Sequence, residues 1–290
     1  MKILLAGSGG QLAQELQPIL LSSGEVIAVD RTRLDLSQPE IIRQIMAEIQ
    51  PDLVVNAAAY TAVDKAESEP ELANAVNGIA PGIFAAECEK IGSNLIHIST
   101  DYVFDGSQGS PYLETDSTNP LGTYGKSKLM GEEAIRQAGN RHVIIRTAWV
   151  YGNSGKGNFV KTMLRLGKER EEIKVVADQI GSPTWTGDLA AAIAQIIPQI
   201  KPENFGTYQY TNSGVCSWYD FAIAIFEEAE KLGFHLKVQR VIPITTAEYP
   251  TPAKRPAFSV LSSVKISALL GTHPPHWRQG LRQMLAREVS

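Results

Sequence analysis

Short apolar segments alternate with segments of helical period along the first half of the chain. The apolar segments are Ile3–Ala6, Val26–Val29, Leu53–Asn56, Leu95–Ser99 and Val143–Arg146. Between them, apolar residues recur with a helical period in Gln11–Leu21, Glu40–Gln50, Leu72–Ile91 and Lys126–Ala138. Uninterrupted apolar strands that are separated by helices are typical of a parallel sheet covered on both faces. The pattern therefore predicts a doubly wound α/β sheet.

The second half of the chain has a looser pattern. A glycine-rich loop spans 152–157, and helical segments follow at Phe159–Gly167, Asp188–Ile197, Trp218–Leu232 and about Trp277–Ala286. We expect residues 1–150 to form the doubly wound domain. Residues 151–290 should form mainly a smaller, discontinuous C-terminal lobe, with some segments returning to the sheet of the first domain.

Two of the predicted helices carry signals at their ends. Ser37 and Glu40 predict a capping box, with Pro39 in the first turn of the helix that follows. Ser217 predicts the N-cap of the helix that begins at Trp218, and Gly233 predicts its C′ position.

Composition and charge exclude several classes of protein. The 290 residues include 27 basic and 31 acidic side chains, a net charge of −4, and 43% are hydrophobic. This balance argues against a nucleic-acid-binding protein, and no polybasic run would suit a membrane surface. No stretch approaches the ~18 apolar residues of a membrane span, and the first apolar run is too short for a signal peptide. We therefore expect a cytoplasmic globular protein without a nucleic-acid or membrane partner.

Cysteine and histidine spacing gives no sign of a metal site. Cys88 and Cys216 form neither a disulfide framework nor a zinc pattern, so we interpret them as small buried thiols. The five histidines lack metal-binding spacing and are interpreted as structural or solvated residues: His97, His142, His235, His273 and His276.

A glycine-rich turn follows the first apolar segment and opens the first predicted helix. Gly7 allows the tight turn, and Gly10 lets the backbone approach a pyrophosphate. The free N–H groups and the positive dipole end of the helix N-terminus favour an anion there. Ala13 stands where a third glycine is common, and it still allows close packing of helix on strand. A turn of this kind alone is weak evidence, but its place between a strand and a helix strengthens the prediction of a dinucleotide site in the first domain.

Residues at the ends of the next two strands extend this predicted cofactor site. Asp30 follows the second strand, at the place where an acidic residue meets the adenosine ribose hydroxyls. Arg31 could stack on adenine or pair with a 2′-phosphate, or it could be a solvated loop residue. Asp35 and Leu36 could hold the adenine edge. The small residues of Asn56–Ala59, which include Ala57, let the backbone run close to a flat ligand or allow tight packing alone.

The candidate chemistry lies on one helix and one strand end. Tyr124 and Lys128 are spaced i, i+4, so they are neighbours on one helix face. A phenol is protonated at neutral pH and can donate a proton, and an adjacent ammonium stabilises the phenolate that remains. Thr100 ends a predicted strand, where its hydroxyl can bond the carbonyl oxygen that Tyr124 protonates. A lone Tyr-x-x-x-Lys is common by chance, but these features in this order favour a catalytic site.

Taken together, these features resemble the extended short-chain dehydrogenase/reductases, which have a Rossmann-type sheet. Five further stretches narrow the resemblance to the dTDP-4-dehydrorhamnose reductase family: residues 56–67 (NAAAYTAVDKAE), 99–106 (STDYVFDG), 146–152 (RTAWVYG), 178–184 (DQIGSPT) and 255–263 (RPAFSVLSS). The resemblance spans nearly the whole chain. It implies the NAD(P)H-dependent reduction of the C4 carbonyl of dTDP-4-dehydro-6-deoxy-L-mannose, which yields dTDP-L-rhamnose. Its small-molecule partner would thus be a nucleotide sugar.

The resemblance also assigns roles to individual residues. It implies cofactor contacts by Gly10, Gln11, Leu12, Asp30, Asp35, Leu36, Ala59, Tyr60, Thr61, Tyr124 and Lys128. To these the reasoning from residues adds Gly7, Arg31 and Ala57. The expected catalytic residues are Thr100, Tyr124 and Lys128, and the expected substrate contacts are Thr100, Asp101, Tyr102 and Trp149.

Several choices stay open at this point. Some family members hold Mg²⁺ at a dimer contact, and Glu15 matches one such position, but we favour a solvated helix face for Glu15 because Glu is seldom buried. A monomer and a homodimer are both compatible with the sequence, as are NADH and NADPH. We favour sugar or base stacking over core packing for Trp149, because ligand sites gather at strand ends.

Two other functions remain as alternatives. The first is a nucleotide-sugar epimerase or dehydratase on the same fold. A dehydratase would want Glu at the position of Tyr102, and a phenol cannot act as a carboxylate base. The second is a non-catalytic NADP-binding regulatory subunit, because fold alone does not decide function.

Overall fold

A computed structural model gives the structure of the protein and describes residues 1–155 and 157–289. Each of the five predicted apolar segments forms a strand. The strands are β1 (Lys2–Ala6), β2 (Glu25–Val29), β3 (Leu53–Asn56), β4 (Asn94–Thr100), β5 (His142–Thr147), β6 (Val150–Tyr151), β7 (Glu172–Val176), β8 (Ile180–Gly181), β9 (Thr184–Trp185), β10 (Gly206–Gln209), β11 (Cys216–Ser217) and β12 (Arg240–Ile244).

One parallel sheet organises the first half of the chain. Its strands lie in the order β10-β5-β4-β3-β1-β2, and every neighbouring pair is parallel. The order reverses at β1, which lies between β3 and β2, and ligands in open α/β sheets bind in the crevice at such a point. The predicted doubly wound sheet is confirmed. Strand β10 comes from the second half of the chain and pairs with β5 at one edge.

Helices cover both faces of this sheet and also build the second lobe. They are α1 (Gln11–Leu20), α2 (Pro39–Ile49), α3 (Val63–Ala66), α4 (Pro70–Ala73), α5 (Ala80–Ile91), α6 (Thr123–Ala138), α7 (Phe159–Glu169), α8 (Thr186–Ile196), α9 (Trp218–Lys231), α10 (Val264–Leu270) and α11 (Trp277–Val289). Helices α1 and α8 pack on one face of the sheet, and α2 and α5 pack on the other. The strands are therefore buried on both sides, as their uninterrupted apolar sequences require.

A separate apolar core holds the second lobe together. It contains side chains of α7, α9 and α11 around Phe221, which is fully buried. Strands β7 and β12 pair beside this core. The division of the chain at residue 150 stays a prediction, and its C-terminal part includes Lys156 and Ser290, which lie outside the described residues.

The helix-end signals gave mixed results. Ser217 caps α9 in a capping box with Asp220, and Gly233 follows the helix with φ +83°, as predicted. The capping box of Ser37 and Glu40 is wrong. The N-cap of α2 is Gln38, and the Ser37 hydroxyl donates to the Asp35 carboxylate instead, at 2.8 Å.

The predicted helix at Leu72–Ile91 contains an irregular turn. A π-helical segment, Asn74–Ile79, joins α4 to α5. It places the buried Asn77 side chain toward the neighbouring helix, where its amide donates to the Ser127 hydroxyl at 3.1 Å. Wide turns of this type are frequent at functional sites, because they redirect a side chain without ending the helix.

The lengths and composition of the helices bear on membrane insertion. None of the helices within the described ranges is long and apolar enough to cross a membrane.

Cys88 and Cys216 are buried free thiols, as interpreted from the sequence. Burial raises the pKa of the Cys88 thiol to about 12, so this group is unreactive at neutral pH.

Candidate active site

The glycine-rich turn lies at the carboxyl end of β1, where the strand order reverses. The Gly7 amide donates to the Val29 carbonyl at 2.9 Å, and the Gly10 amide donates to the Gly7 carbonyl at 2.8 Å. Gly10 is the N-cap of α1, and no side chain from the described ranges caps this end of the helix. The first-turn amides therefore present an anion site with the positive end of the helix dipole behind it. This arrangement fits the pyrophosphate of a dinucleotide.

Two side chains near this turn are already fixed. Leu12 is buried, and the side-chain Oε1 of Gln11 accepts from Nδ2 of Asn158 at 2.8 Å. Asn158 begins α7 and also bonds the Gly152 carbonyl, so it ties the second lobe to the start of α1. Ala13 is buried at 1% exposure, which agrees with its predicted packing role.

Gly7 cannot be replaced without strain. Its φ of +88° is a conformation that L side chains rarely adopt, and an added Cβ would lie 2.8 Å from the Cα of Ala58. The contact joins the ends of β1 and β3, which are neighbours in the sheet. The turn therefore needs glycine both for its backbone conformation and for this close approach.

We expect Gly7→Ala to lower the free energy of unfolding by about 1–3 kcal/mol, because the backbone is strained and Ala58 is displaced. Urea denaturation measures the loss. Gly9→Ala is the matched control in the same turn, because its Cβ would have no neighbour within 4 Å. A Gly7→Ala loss no larger than that of Gly9→Ala would contradict the argument.

The residues predicted to hold the adenosine lie together beyond β2. The Asp30 carboxylate is exposed and accepts from the Thr32 hydroxyl at 2.5 Å and from the Thr32 amide at 3.0 Å, and these two bonds lower the pKa of Asp30. Arg31 is 75% exposed and lies 3.8 Å from Asp35. The Asp35 carboxylate accepts from the Ser37 amide, and this bond lowers the pKa of Asp35. Leu36 is buried beneath them.

Hydrogen bonds fix the backbone of residues 57–61, which follow β3. The backbone of Tyr60 exchanges two hydrogen bonds with the Asn77 side chain, at 2.9 and 3.0 Å, and its hydroxyl donates to Glu69 at 2.8 Å. Ala57 and Ala59 are half-buried, and Thr61 is exposed. Small side chains on a fixed backbone leave a surface against which a flat ligand can lie.

The predicted acid lies at the carboxyl end of β4. Tyr124 is on the first turn of α6, and burial raises the pKa of its phenol to about 12, although a hydrogen bond with Thr100 opposes the shift. The buried Thr100 hydroxyl donates its one proton to the Asp101 carboxylate at 3.0 Å. Burial raises the pKa of Asp101 to about 6. The phenol is therefore protonated at neutral pH, as a proton donor must be.

The buried amine of Lys128 bonds the strand below it, and its predicted contacts with the phenolate and the cofactor stay predictions. Its side chain is 2% exposed, and its Nζ donates to the Ile98 carbonyl at 2.6 Å. Nζ also lies 3.4 Å from Nε2 of His97. Burial lowers the pKa of Lys128 to about 8, and the negative charge of Glu132 opposes the shift. The amine is thus directed at the strand beneath the phenol.

Tyr102 and Trp149 are the remaining residues that the sequence predicts to contact the substrate. The Tyr102 ring meets the Tyr124 ring edge-on, with centroids 5.4 Å apart, and it is half-buried. Trp149 stacks on Trp218 with centroids 3.5 Å apart, in the left-handed conformation at φ +49°. One face of the indole is thus covered by protein. Contact of Trp149 with a substrate stays a prediction, and such a contact would involve the part of the indole that Trp218 does not cover.

Glu15, the candidate ligand for Mg²⁺, forms an ion pair. Its carboxylate lies 3.0 Å from Nη1 of Arg287 on α11. Among residues 1–155 and 157–289, no three His, Cys, Asp or Glu side chains are grouped to hold a metal ion. The structure therefore gives no support to the magnesium site that the sequence left open.

Sequence reasoning missed the buried polar residues beneath the site. Glu132 on α6 is fully buried and forms two bonds with Arg146 of β5, at 2.9 and 2.7 Å. His97 is fully buried beside Lys128, although it was interpreted only as structural or solvated. The available signal was a polar residue inside an apolar strand, because a buried polar group needs a partner.

Comparison with protein families gives a match over the whole chain. The model described as "RmlD substrate binding domain" matches residues 1–290. A dTDP-4-dehydrorhamnose reductase of Burkholderia thailandensis is 46% identical over 286 residues, which cover 96% of each chain.

Two solved structures are similar along their full length. A dTDP-4-dehydrorhamnose reductase from Clostridium acetobutylicum is 41% identical with a TM-score of 0.93 and covers 100% of both chains. A second, from Bacillus anthracis in complex with NADP, is 39% identical with a TM-score of 0.91 and covers 99% of both chains.

Proposed function

This chain belongs to the RmlD substrate binding domain family, and we propose that it is an NAD(P)H-dependent dTDP-4-dehydrorhamnose reductase. The reaction is reduction of the C4 carbonyl of dTDP-4-dehydro-6-deoxy-L-mannose to the hydroxyl of dTDP-L-rhamnose. The observation that carries this proposal is the protonated Tyr124 phenol beside Thr100, at the strand end that faces the crevice of the sheet.

Each residue of the site has a task in this reaction. When bound, the reduced nicotinamide supplies the hydride that is added to C4. Tyr124 supplies a proton to the oxygen that becomes the alkoxide, and Thr100 bonds the same oxygen and orients it. Lys128 lies one helical turn from Tyr124 and would hold the nicotinamide ribose when the cofactor is bound. The turn at Gly7–Ala13 would hold the pyrophosphate.

The phenol is suited to reduction because it keeps its proton until the alkoxide forms. Its pKa of about 12 lies well above neutral pH, so nearly every molecule is in the donating form. The buried Asp101 carboxylate, bonded to Thr100, fixes the direction of the Thr100 hydroxyl. To donate to the substrate oxygen, this hydroxyl would have to release its bond to Asp101.

On cofactor choice, we propose dual use, with NADPH at least as good as NADH. Asp30 can accept from the 2′-hydroxyl of NADH but repels a 2′-phosphate. Arg31 can offset that repulsion, because its side chain is exposed and only weakly engaged with Asp35, at 3.8 Å.

Replacing Arg31 with Ala should raise the KM for NADPH by about tenfold, as expected for loss of ~1.4 kcal/mol, and leave the KM for NADH nearly unchanged. Steady-state kinetics with each cofactor measures the difference. Arg33→Ala is the control, because Arg33 is also exposed and pairs with Glu48 at 2.7 Å. Equal losses with both cofactors would overturn the assignment.

The two alternative functions are less well supported. Tyr102 stands where a dehydratase would use a carboxylate base, and a phenol whose pKa is raised by burial cannot serve. A non-catalytic NADP-binding subunit would not need Thr100, Tyr124 and Lys128 together in one site.

A substrate panel tests the proposed function. The dTDP-, UDP- and GDP-linked 4-keto-6-deoxy sugars are each mixed with NADPH or NADH, and oxidation of the cofactor is followed. We expect fastest turnover with the dTDP sugar. Tight NADPH binding without turnover of any sugar would favour the regulatory subunit, and formation of a dehydrated or epimerised sugar would favour the other alternative.

A further inference from the structure

The helix that carries Tyr124 begins without a capping side chain of its own. Its N-cap is Gly122, and the first turn of α6 contains no acidic residue. The first amides of a helix have no partner within the helix, and helix ends fray. Tyr124 is the second residue of α6, so the position of its phenol depends on how this end is held.

Glu67 supplies a cap for α6 from a different part of the chain. Its Oε1 accepts from the Thr123 amide at 2.7 Å, and its Oε2 accepts from the Thr123 hydroxyl at 3.0 Å. Because two oxygens hold one residue, both the position and the rotation of the first turn are restrained. The carboxylate also places a negative charge at the positive end of the helix dipole. Thr123 directly precedes Tyr124, so the cap acts on the turn that carries the proton donor.

The segment that carries Glu67 is itself anchored. Glu67 follows α3 directly and is the last residue of the stretch 56–67. Three residues earlier, Asp64 accepts from the Ala253 amide at 3.2 Å and from Nη2 of Arg255 at 2.8 Å. Both of these partners come from the second half of the chain. Glu67 therefore lies on a segment that is bonded to α6 on one side and to residues 253–255 on the other.

The first turn of α6 lies close to the strand end that carries Thr100. A Cβ on Gly125 would lie 2.2 Å from the carbonyl oxygen of Tyr102, so this turn is in direct contact with the residues after β4. One turn further along α6, the buried Ser127 hydroxyl accepts from Nδ2 of Asn77 at 3.1 Å. Loss of the Glu67 cap should therefore loosen the first turn and leave the rest of α6 in place.

Resting on the proposed function of this site, we propose that Glu67 is a positioning residue for the proton donor. It holds Thr123 so that the Tyr124 phenol stays where it and Thr100 can bond the same substrate oxygen. A misplacement of about 1 Å in such a site can cost ~10²-fold in rate. The role depends on hydrogen-bond geometry and not on charge, because the carboxylate acts through the helix and not on the substrate.

Removal of the cap with Glu67→Ala is expected to lower kcat by about tenfold, because the first turn then spends time in positions that displace the phenol. The Kd for NADPH, measured by fluorescence titration, should stay within a few-fold. Glu67→Gln should keep kcat near that of the wild type, since its carbonyl oxygen can accept from the Thr123 amide and its NH₂ group can donate to the Thr123 hydroxyl. A loss with Gln as large as that with Ala would overturn the proposal, because charge would then be responsible.

Glu248→Ala is the matched control for loss of a cap. Glu248 accepts from the amide and the hydroxyl of Thr245 at 2.8 and 2.9 Å, which is the same pair of bonds, at the 3₁₀ turn Thr246–Glu248. We expect Glu67→Ala and Glu248→Ala to lose similar free energies of unfolding in urea, whereas kcat falls only in Glu67→Ala. Equal values of kcat in the two variants would refute the positioning role.

A measurement without substrate separates this inference from the proposed function. Protein labelled with ¹³Cζ-tyrosine gives a signal for each phenol, and Tyr124→Phe identifies that of Tyr124. We expect this signal to shift or split in Glu67→Ala and to stay unchanged in Glu248→Ala and Glu67→Gln. An unchanged Tyr124 signal in Glu67→Ala would overturn the proposal, whatever the turnover of any sugar.

Thr123→Val removes one of the two bonds and is expected to give a smaller change of the Tyr124 signal. It serves as the test variant if Glu67→Ala does not fold, and an unchanged signal would then count against the proposal in the same way. If the Tyr124 signal changes as expected but no sugar in the substrate panel is reduced, the proposed function fails and the positioning of Tyr124 by Glu67 stands.

Discussion

Replacing Tyr124 with Phe is expected to lower kcat by about 10²–10⁴-fold, because a positioned general acid typically contributes that much to the rate. The substitution removes one hydroxyl and leaves the ring, so the edge-on contact with Tyr102 survives. The Kd for NADPH should stay within a few-fold, since Lys128 and the turn at Gly7–Ala13 remain. Single-turnover oxidation of NADPH and a cofactor titration measure the two quantities.

Two further variants test whether the loss of kcat comes from the proton-donating hydroxyl of Tyr124. Thr100→Val should lower kcat in the same direction but by less, because Thr100 orients the carbonyl oxygen and does not donate the proton. Tyr208→Phe is the control, since it removes a phenolic hydroxyl that donates to the Asn204 carbonyl outside the site. Near wild-type reduction by Tyr124→Phe would mean that another group supplies the proton.

Replacing Arg146 with Met is expected to lower the free energy of unfolding by about 3–5 kcal/mol, because it leaves the buried Glu132 carboxylate without its main partner. Arg146 is 3% exposed and Glu132 is 0% exposed. Nε and Nη2 of the guanidinium each bond one carboxylate oxygen, at 2.9 and 2.7 Å. Ser99 and the half-exposed Arg136 would be the remaining partners.

Denaturant unfolding of Arg146→Met and Arg165→Met provides the comparison. Arg165 forms an exposed pair with Glu169 at 3.2 Å, and its side chain is 61% exposed. Exposed pairs contribute about 0–1 kcal/mol, so the control should be nearly neutral. Similar losses in the two variants would show that burial of the Glu132 pair has no special cost.

The sheet and the main chemistry could be predicted from local patterns. Strands that are buried on both faces, such as Leu53–Asn56, need apolar side chains at every position, and this requirement is visible in the sequence. Tyr124 and Lys128 have a helical spacing, and Gly7 has a turn that only glycine tolerates. Each of these signals depends on residues that are close together along the chain.

Other parts of the structure could not be predicted because they depend on partners that are distant in sequence. The sequence favours a ligand as the partner of Trp149, but the fold brings Trp218 onto its ring. Glu15 was a candidate metal ligand, and the fold places Arg287 of α11 beside it. The Ser37 capping box failed because the nearby Asp35 carboxylate competes for the same hydroxyl.

By itself, the sequence determined the α/β class, the first five strands, the place of the glycine-rich turn and the position of Tyr124 and Lys128 on one helix. Only the tertiary structure decided which groups surround these residues. Lys128 lies against Ile98 and His97 because β4 passes beneath α6, and Asn56 reaches His97 because β3 and β4 are neighbours. Spacing along the chain sets local geometry, whereas proton state depends on burial and on partners across the sheet.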